Sequence, residues 1–466
     1  MTSSFADYHA ADFEPSFVSG RTYVTRLRVG RIDAAALLSL TIALVLLVPF
    51  RYVLPGLTGI GRPGLVMGML LFLWWTLARF TPTLSMTGPQ PMRWALMGLL
   101  VSALISYAVG FMRGLTSIEA NNSDRTILVY GIFAGIMLTA ADGIPNWIRL
   151  RGVLKVLVVC GAIIGAIGIA QYVTKIDVTQ YIIIPGLQAH WDALGFEARG
   201  GGVRVASTTT HYIEFAATMS LILPFALSFA LHAGTKRRRM IAAIAAVMLA
   251  GGNAVTISRT GILAVLLMLI VLIPIWTWRT RYNILVMAGA MLAVIGGASP
   301  GLLRTLTNLF DSPDSNPAFT VRADRYPLAF HYINQRPWFG RGTGTWVPPQ
   351  YQILDNQWLA TLIQNGYVGA AALALLHLTG IVLAFLAFRR SSTPEDKHLC
   401  AALISTQLIA IVVAGTFDSW AFSTYTMILA LTCGMCGTVW RLTHPAREVR
   451  TSTTRWFLDN NKTPTR

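Results

Sequence analysis

Charge is scarce in this sequence. Of 466 residues, 12% are Asp, Glu, Lys or Arg and 54% are hydrophobic, against roughly 25% charged in a soluble domain. So few charges cannot cover a water-soluble fold of this size, and that class is excluded. Cysteine is also scarce. Four residues, Cys160, Cys400, Cys433 and Cys436, exclude a disulfide framework. All four fall inside apolar runs, where the redox spacing of Cys433-Gly-Met-Cys436 reads as two small packing residues. Ionisable residues are nearly missing from the middle of the apolar runs. Lys155, Asp142 and Arg281 lie near run ends, within snorkelling reach of an interface. That emptiness argues against proton or ion transport, which needs charge near the midplane. No repeat halves the chain. No signal peptide is evident: the first apolar run begins near Ala34, after a basic stretch, and Phe50-Arg51 is no small-residue cleavage site. Acidic residues are outnumbered 20 to 37 by Lys and Arg, a net charge of +17. A basic surplus can indicate nucleic acid, but no basic cluster sits in a soluble module. Cytoplasmic loops of membrane proteins collect such residues.

What is present is a series of apolar blocks. Twelve runs stand out: 34–50, 64–79, 94–112, 126–141, 153–173, 212–232, 239–256, 260–278, 282–298, 367–388, 398–415 and 419–440. A bilayer core takes about 20 apolar residues per helix, and several runs are short enough to need tilt or extension into their flanks. Separate segments cross only as helices, because each then satisfies its own backbone hydrogen bonds. The expected fold class is therefore all-α, a polytopic membrane bundle of about twelve transmembrane helices. With the N-terminus in the cytoplasm, 24 of the 37 Lys and Arg fall on the inner side, so both termini are expected inside. The expected organisation is a cytoplasmic tail over 1–33, nine helices over 34–298 and an extracytoplasmic loop over 299–366. Three helices over 367–440 and a cytoplasmic tail over 441–466 complete it.

Two outer loops are long, about 174–211 and 299–356. The second has turn chemistry at Asp311-Ser-Pro-Asp314 and carries Phe319, Tyr326, Phe330, Tyr332, Trp338, Phe339, Trp346 and Tyr351. A disordered linker lacks aromatic residues, so an ordered cap is expected. Asp311 and Asp314 read as turn formers rather than metal ligands. Pro327 suits the first turn of a short helix running to about Asn334. A second short helix is expected from Asp355 to Gly366, burying Trp358, Leu359, Leu362 and Ile363. Gly340-Arg-Gly342-Thr-Gly344 lacks the flanking strand and helix of a phosphate loop. Gly131/Gly135 and Gly161/Gly165 have small-residue spacing for close helix packing.

The polar groups of interest gather on the predicted outer side: Arg204, His211, Glu214, Arg259, Arg322, Arg325, His331, Asp355 and Asp418. Ser258-Arg259-Thr260-Gly261 interrupts an apolar stretch with no loop around it, which puts a guanidinium at the membrane mouth, as an anion ligand or as a snorkelling anchor. His211 and Glu214, three apart, share a helix face if that helix begins early; an ordinary solvated helix start is the alternative. Arginines suit an anionic head group, because guanidinium pairs bidentately with phosphate. A carboxylate or imidazole nearby can take a proton from an attacking hydroxyl. Together these fit a lipid diphosphate whose sugar is transferred outside the cytoplasm.

Ser258-Arg259-Thr-Gly opens one membrane helix. A later outer loop runs Arg322-Ala-Asp-Arg-Tyr-Pro-Leu-Ala-Phe-His-Tyr to Gly340-Arg-Gly342-Thr-Gly344-Thr-Trp346. Then comes Asp355-Asn356-Gln-Trp-Leu359 to Gly366-Tyr-Val-Gly369. This order, over roughly 204–388, resembles the O-antigen ligase and O-antigen polymerase superfamily. The segment from Arg204 to His211 is similar to the one preceding a family helix. The resemblance implies a glycosyltransferase of the GT-C type, using a polyprenyl-diphosphate-linked glycan donor and a glycan or lipid acceptor, without cofactor or metal. By position, Arg259 and Arg322 would hold the diphosphate as it leaves. Arg204, His211, Glu214, Arg325, His331 and Asn356 are the further substrate-binding candidates. In family ligases the position of Asp355 is often a histidine that activates the acceptor. Here Asp355 reads equally as the base or as a helix N-cap, and the departure favours a polymerase, or a ligase for another acceptor, over a ligase for lipid A. The implied location is the bacterial inner membrane. Two other classes compete: a transporter or flippase, which needs a polar path across the membrane, and a non-catalytic envelope scaffold.

Overall fold

Each of the twelve apolar runs is helical in the computed structural model, which describes residues 13–15, 22–25, 33–57, 60–80, 89–190, 196–199, 202–298, 325–348, 350–445 and 448–449. The helices are α1 Ala34–Leu47, α2 Pro63–Ala78, α3 Pro91–Arg113, α4 Ser117–Gly143, α5 Trp147–Thr174 and α6 Tyr212–His232. They continue with α7 Lys236–Ala254, α8 Arg259–Leu272, α9 Trp278–Ala298, the short α10 Arg325–Gln335, α11 Gln357–Arg390, α12 Pro394–Val413 and α13 Ser423–Leu442. Local chemistry sets the starts. Asp33, Asn146, Thr235 and Thr393 cap α1, α5, α7 and α12 through their side chains. Thr116 and Glu119 form a capping box on α4, and prolines open α2, α3 and α12.

Among the described residues six helices are long and apolar enough to cross a membrane: α3, α4, α5, α6, α11 and α12. Shorter apolar helices are α1, α2 and α8 with its terminal turn. The expected dozen crossings is thus a dozen helices of unequal character. α13 is the clearest case. It is buried along nearly its whole length, packed on α4, α11, α12 and α6. Protein surrounds it, so Thr424, Thr426, Thr432 and Thr438 are accommodated within it. Cys433 and Cys436 sit here too, fully buried, as the packing residues expected. Close approach is built in where α4 meets α2 and where α5 meets α7. A Cβ on Gly135 would collide with the backbone of Gly68 and Phe72, and one on Gly165 with Met248.

One group of ion pairs marks one end of the bundle, here termed the tail end. Arg149 pairs with Asp33, and Arg151 with Glu395 and Asp396. Asp142 does not snorkel as its position suggested. It is buried, takes Arg79 and Arg93, and accepts from Trp75 Nε1 at 3.0 Å. Among the described residues His377 does lie deep inside, its Nδ1 2.9 Å from Gln407 Oε1, an atom that Cys433 Sγ also reaches at 3.3 Å. Short strands lie outside the bundle. β1 Phe13–Pro15 and β2 Thr22–Thr25 pair antiparallel, β3 Tyr52–Val53 joins β4 Gln188–Ala189, and β5 Phe196–Arg199 forms a hairpin with β6 Gly202–Val205. β7 Glu448–Val449 lies parallel to β2 and brings the two tails together. The all-α expectation holds for the bundle alone.

At the opposite end, the cap end, α10 packs on the start of α11. Ala329, Ile333, Trp346, Leu354, Leu359, Ala360 and Ile363 form a second apolar cluster. Trp358, expected on the same face, turns to the main core and donates from Nε1 to the Ile411 carbonyl at 2.9 Å. Asp311, Asp314 and Phe319 lie outside the described residues. The expected break at Gly366 is present: its backbone has φ 66° and ψ −168° inside α11. The Gly340–Gly344 segment splints this break. Arg341 and Gly342 donate backbone N–H groups to the carbonyls of Ile363 and Gln364, at 2.9 and 3.0 Å. The N–H groups of Tyr367 and Val368 donate to Pro337 and Trp338, at 2.8 and 3.1 Å. Both orphaned helix ends are therefore satisfied by one strand of chain. Asn122, Ser123 and Asn365 hold that strand through Gly344 O, Thr343 O and Thr343 Oγ1.

A Cβ on Gly366 would collide with the Trp338 carbonyl, and left-handed backbone costs a non-glycine residue about 1–2 kcal/mol. Gly366→Ala is expected to lower the melting temperature in detergent by several degrees. Gly98→Ala in α3, where a Cβ meets nothing within 4 Å, is expected to stay within about 1 kcal/mol of wild type. Thermal melts of the two purified variants check this.

Candidate functional site

The cap end is where helices start with polar side chains and where chain passes between helices without being helical. The start of α11 is its centre. Asn356, not Asp355, is the N-cap. Its Oδ1 accepts from the N–H groups of Trp358 and Leu359 at 3.0 and 3.2 Å. The capping reading of Asp355 is thereby corrected: the helix begins at Gln357, and Asn356 already fills the role. Asp355 Oδ2 instead pairs with Arg325 Nη1 at 2.6 Å, in a half-buried contact. Asp355 has a φ of 50°, in the left-handed region.

Asp418, in the turn between α12 and α13, holds that conformation. Its Oδ2 accepts the Asp355 N–H at 3.3 Å and its Oδ1 accepts the Asn356 N–H at 2.9 Å. Burial pushes the Asp418 carboxyl above the ordinary carboxylate range, opposed by the Asn356 N–H and reinforced by neighbouring Asp355. The same turn is tied down around it. Gln357 N–H donates to Ala414 O at 2.7 Å, Trp420 N–H to Gln357 Oε1 at 2.9 Å, and the hydroxyls of Thr260 and Thr416 are 3.0 Å apart. Thr260 follows Arg259, the first residue of α8, whose side chain is exposed. Tyr326 completes this side, its hydroxyl 3.4 Å from Asn356 Nδ2.

A second branch runs through aromatic contacts. Phe417 and Phe422 rings are 5.5 Å apart, and Phe422 is 5.7 Å from the His211 ring. His211 caps α6, its Nδ1 accepting from Ile213 N–H at 3.2 Å. Its neighbour Tyr212 lies under the buried Arg204 guanidinium, 4.5 Å from ring centre to Cζ. Helix α6 begins early enough for His211 and Glu214 to lie within its first turn, yet the two have different surroundings. Glu214 is fully buried. One carboxylate oxygen accepts from Thr210 N–H at 2.8 Å. The other takes the N–H groups of Thr424 and Tyr425, at 2.7 and 3.3 Å, where α13 starts. Arg62 joins there through Ser423 and Thr424.

The structure thus links Arg204, His211, Glu214, Arg325, Asp355 and Asn356 by a chain of contacts at one end, with Arg259 beside them. His331 is exposed on α10 and pairs with Gln335 at 2.9 Å. Arg322 lies outside the described residues. Sequence reasoning named Asp418 as a polar residue without giving it a part. An acid in a short link between two apolar runs was the available signal. It also missed the buried group of Arg341, Tyr351 and Glu119 behind the splint. There Arg341 Nη2 bonds Tyr351 Oη at 2.7 Å and Glu119 pairs with Arg113 at 2.9 Å.

These features define a multi-pass membrane protein with a polar constellation at one end. Residues 244–374 match the family described as O-antigen ligase, which supports the resemblance to the O-antigen ligase and polymerase superfamily. The match covers under a third of the chain, from within α7 through α8, α9 and α10 into α11. It includes Arg259, Arg322, Arg325, His331, Asp355 and Asn356, and leaves out Arg204, His211, Glu214 and Asp418. No curated protein matches the chain.

Burial separates scaffold from exposed chemistry. Glu214→Gln leaves buried amides short of a charged acceptor, and such bonds are worth about 1.5–3 kcal/mol. It is expected to destabilise the protein by that amount. Asp355→Asn removes a half-exposed ion pair worth about 1 kcal/mol or less, and Asn tolerates the left-handed backbone. It is expected to leave the melting temperature within a few degrees of wild type. Parallel melts in one detergent decide it.

Proposed function

We propose that the protein transfers a glycan from a polyprenyl diphosphate to an acceptor at the extracytoplasmic membrane face, as a polysaccharide polymerase or an O-antigen-ligase-like enzyme. The observation that carries this reading is the convergence, inside the O-antigen ligase match, of Arg259, Arg325, Asp355 and Asn356 at one end of an apolar bundle. The bundle supplies the setting. Apolar helices suit a donor whose tail stays in lipid, and the cap end offers charge where its head group would emerge.

The chemistry follows from the groups present. Asp355 takes the proton of an acceptor hydroxyl as that oxygen attacks the anomeric carbon of the donor glycan. The bond between the anomeric carbon and the diphosphate oxygen breaks, and its electrons stay on the diphosphate. The guanidinium groups of Arg259 and Arg322 stabilise the charge that develops there. Arg325 and Asn356 sit beside Asp355, where they orient acceptor and phosphate oxygens. Arg204 and His211 serve the donor from the second branch, and His331 lies at the outer rim. Glu214 contributes by setting the starts of α6 and α13. No nucleotide is consumed, because the lipid-linked bond itself supplies the driving force. The tail end, with Arg79, Arg93, Arg149 and Arg151, is read as cytoplasmic, in line with the inner-side excess of Lys and Arg.

Alanine at Arg259 or at Arg322 is expected to abolish polymeric product, about a hundredfold or more, the range for loss of a transition-state donor. Protein abundance in the membrane should be unchanged. Lipid-linked intermediates from a deletion strain separate the two activities: a lost polymerase leaves single repeat units, and a lost ligase leaves long chains on the carrier. Normal polymer from both alanine variants overturns the proposal.

A further inference from the structure

A carboxylate that serves a hydroxyl on a mobile glycan has to be held, and the start of α11 shows how. Residue 355 has a left-handed backbone, φ 50°, which costs a side-chain-bearing residue free energy unless neighbours over-determine it. Asp355 is not held by helix capping, since Asn356 caps the helix. Its two consecutive amides, those of residues 355 and 356, both point at Asp418, one to each carboxylate oxygen. Asp418 is itself fixed. Ala414 O, four residues before it, takes the Gln357 N–H, and Trp420 N–H, two residues after it, returns to Gln357 Oε1. The two strands of chain are clamped on both sides of the carboxylate.

Resting on the glycan-transfer reading above, we infer that Asp418 is a positioning residue: through the amides of Asp355 and Asn356 it fixes the strained turn that presents the Asp355 carboxylate to the acceptor. Asp418 lies outside the segment matched to the O-antigen ligase family and is supplied by the link between α12 and α13. It acts on the reacting group without being that group. An amide in its place has a single acceptor oxygen, so one of the two N–H groups is left facing an NH2 group. The turn then loses one of its two anchors, and residue 355 relaxes towards ordinary backbone. The carboxylate is carried away from the acceptor, while donor binding by the arginines is unaffected.

The test compares wild type, Asp418→Asn, Asp418→Glu, Asp355→Asn and the double variant Asp418→Asn/Asp355→Asn. All are purified in detergent and assayed with lipid-linked glycan extracted from the producing cells. Asp418→Asn is expected to lower kcat about tenfold or more with the KM for the lipid-linked donor unchanged, the pattern of an interaction lost in the transition state. Asp418→Glu, which keeps two acceptor oxygens, is expected to recover part of that loss. The double variant is expected to be no slower than Asp355→Asn alone, because residues acting through one group are not additive. Hydrogen exchange gives a readout independent of turnover. Amides in the peptide spanning 354–358 should exchange about tenfold faster in Asp418→Asn, with the membrane helices unchanged. An active wild type with Asp418→Asn turning over normally, or a double variant whose loss is the product of the single losses, overturns the inference alone. A pure wild type that transfers no glycan overturns the functional reading, and this one with it.

Discussion

A backbone amide or carbonyl in apolar surroundings has to find its partner inside the protein, and every departure from helix in this bundle is arranged around that demand. Residues 206–210 pass between helices with Ser207 N–H on Gln171 Oε1, Ser207 Oγ on Ile164 O and Thr208 Oγ1 on Leu46 O. The link from α7 to α8 turns at Ile257, whose φ is 52°. Asn253 stabilises it by donating to Ser220 Oγ and to the carbonyls of Ala216 and Gly261. The break in α11 is splinted by 337–342, and the turn after α12 is clamped to the start of α11. Each satisfied departure lets polar side chains enter the bundle at a chosen depth. All four lie at the cap end, and the candidate site is what they leave between them.

That arrangement ties stability to function more closely than in a site carried on free loops. Glu214 fixes two helix starts at once, and Arg341 lies against Tyr332 and Tyr351 while its backbone closes the splint. Neither need touch a substrate to matter. The more exposed groups, Arg259, Arg325 and Asp355, lie at the same end, with Asp355 paired to Arg325. A position can therefore be vital to activity by setting geometry alone.

Much of the fold was legible because hydrophobic blocks and cap signals are local. All twelve runs are helices, the short helix before Gly366 ends where expected, and Pro327 lies near the start of α10. What could not be read was non-local. Whether a helix faces lipid or protein depends on its neighbours, so the burial of α13 among other helices was not visible in its apolar run. Glu214 looked like a site residue because an acid near a helix start is usually solvated. Its partners are the amides of Thr424 and Tyr425, some two hundred residues on, which no spacing rule reaches. The packing task of the glycine-rich segment could not be read without the coordinates of Ile363 and Gln364. Within the site, the residue types were legible, while the division of labour between Asp355, Asn356 and Asp418 was not.

The aspartate at position 355 becomes less anomalous once its backbone is considered. The family resemblance implies that ligases often carry a histidine at this position. Asn, Asp and His are the side-chain-bearing residues most enriched at positive φ, so a left-handed turn ahead of α11 admits both Asp and His on backbone grounds. They differ in what they offer. An ionised carboxylate only accepts hydrogen bonds, whereas an imidazole can donate from one nitrogen and accept at the other. A carboxylate beside Arg325 therefore needs that guanidinium to hold its charge in place, which an imidazole would not, and the 2.6 Å pair supplies it. On the proposed reading, backbone and ion pair act together: the left-handed turn presents the carboxylate, and Arg325 pairs with it.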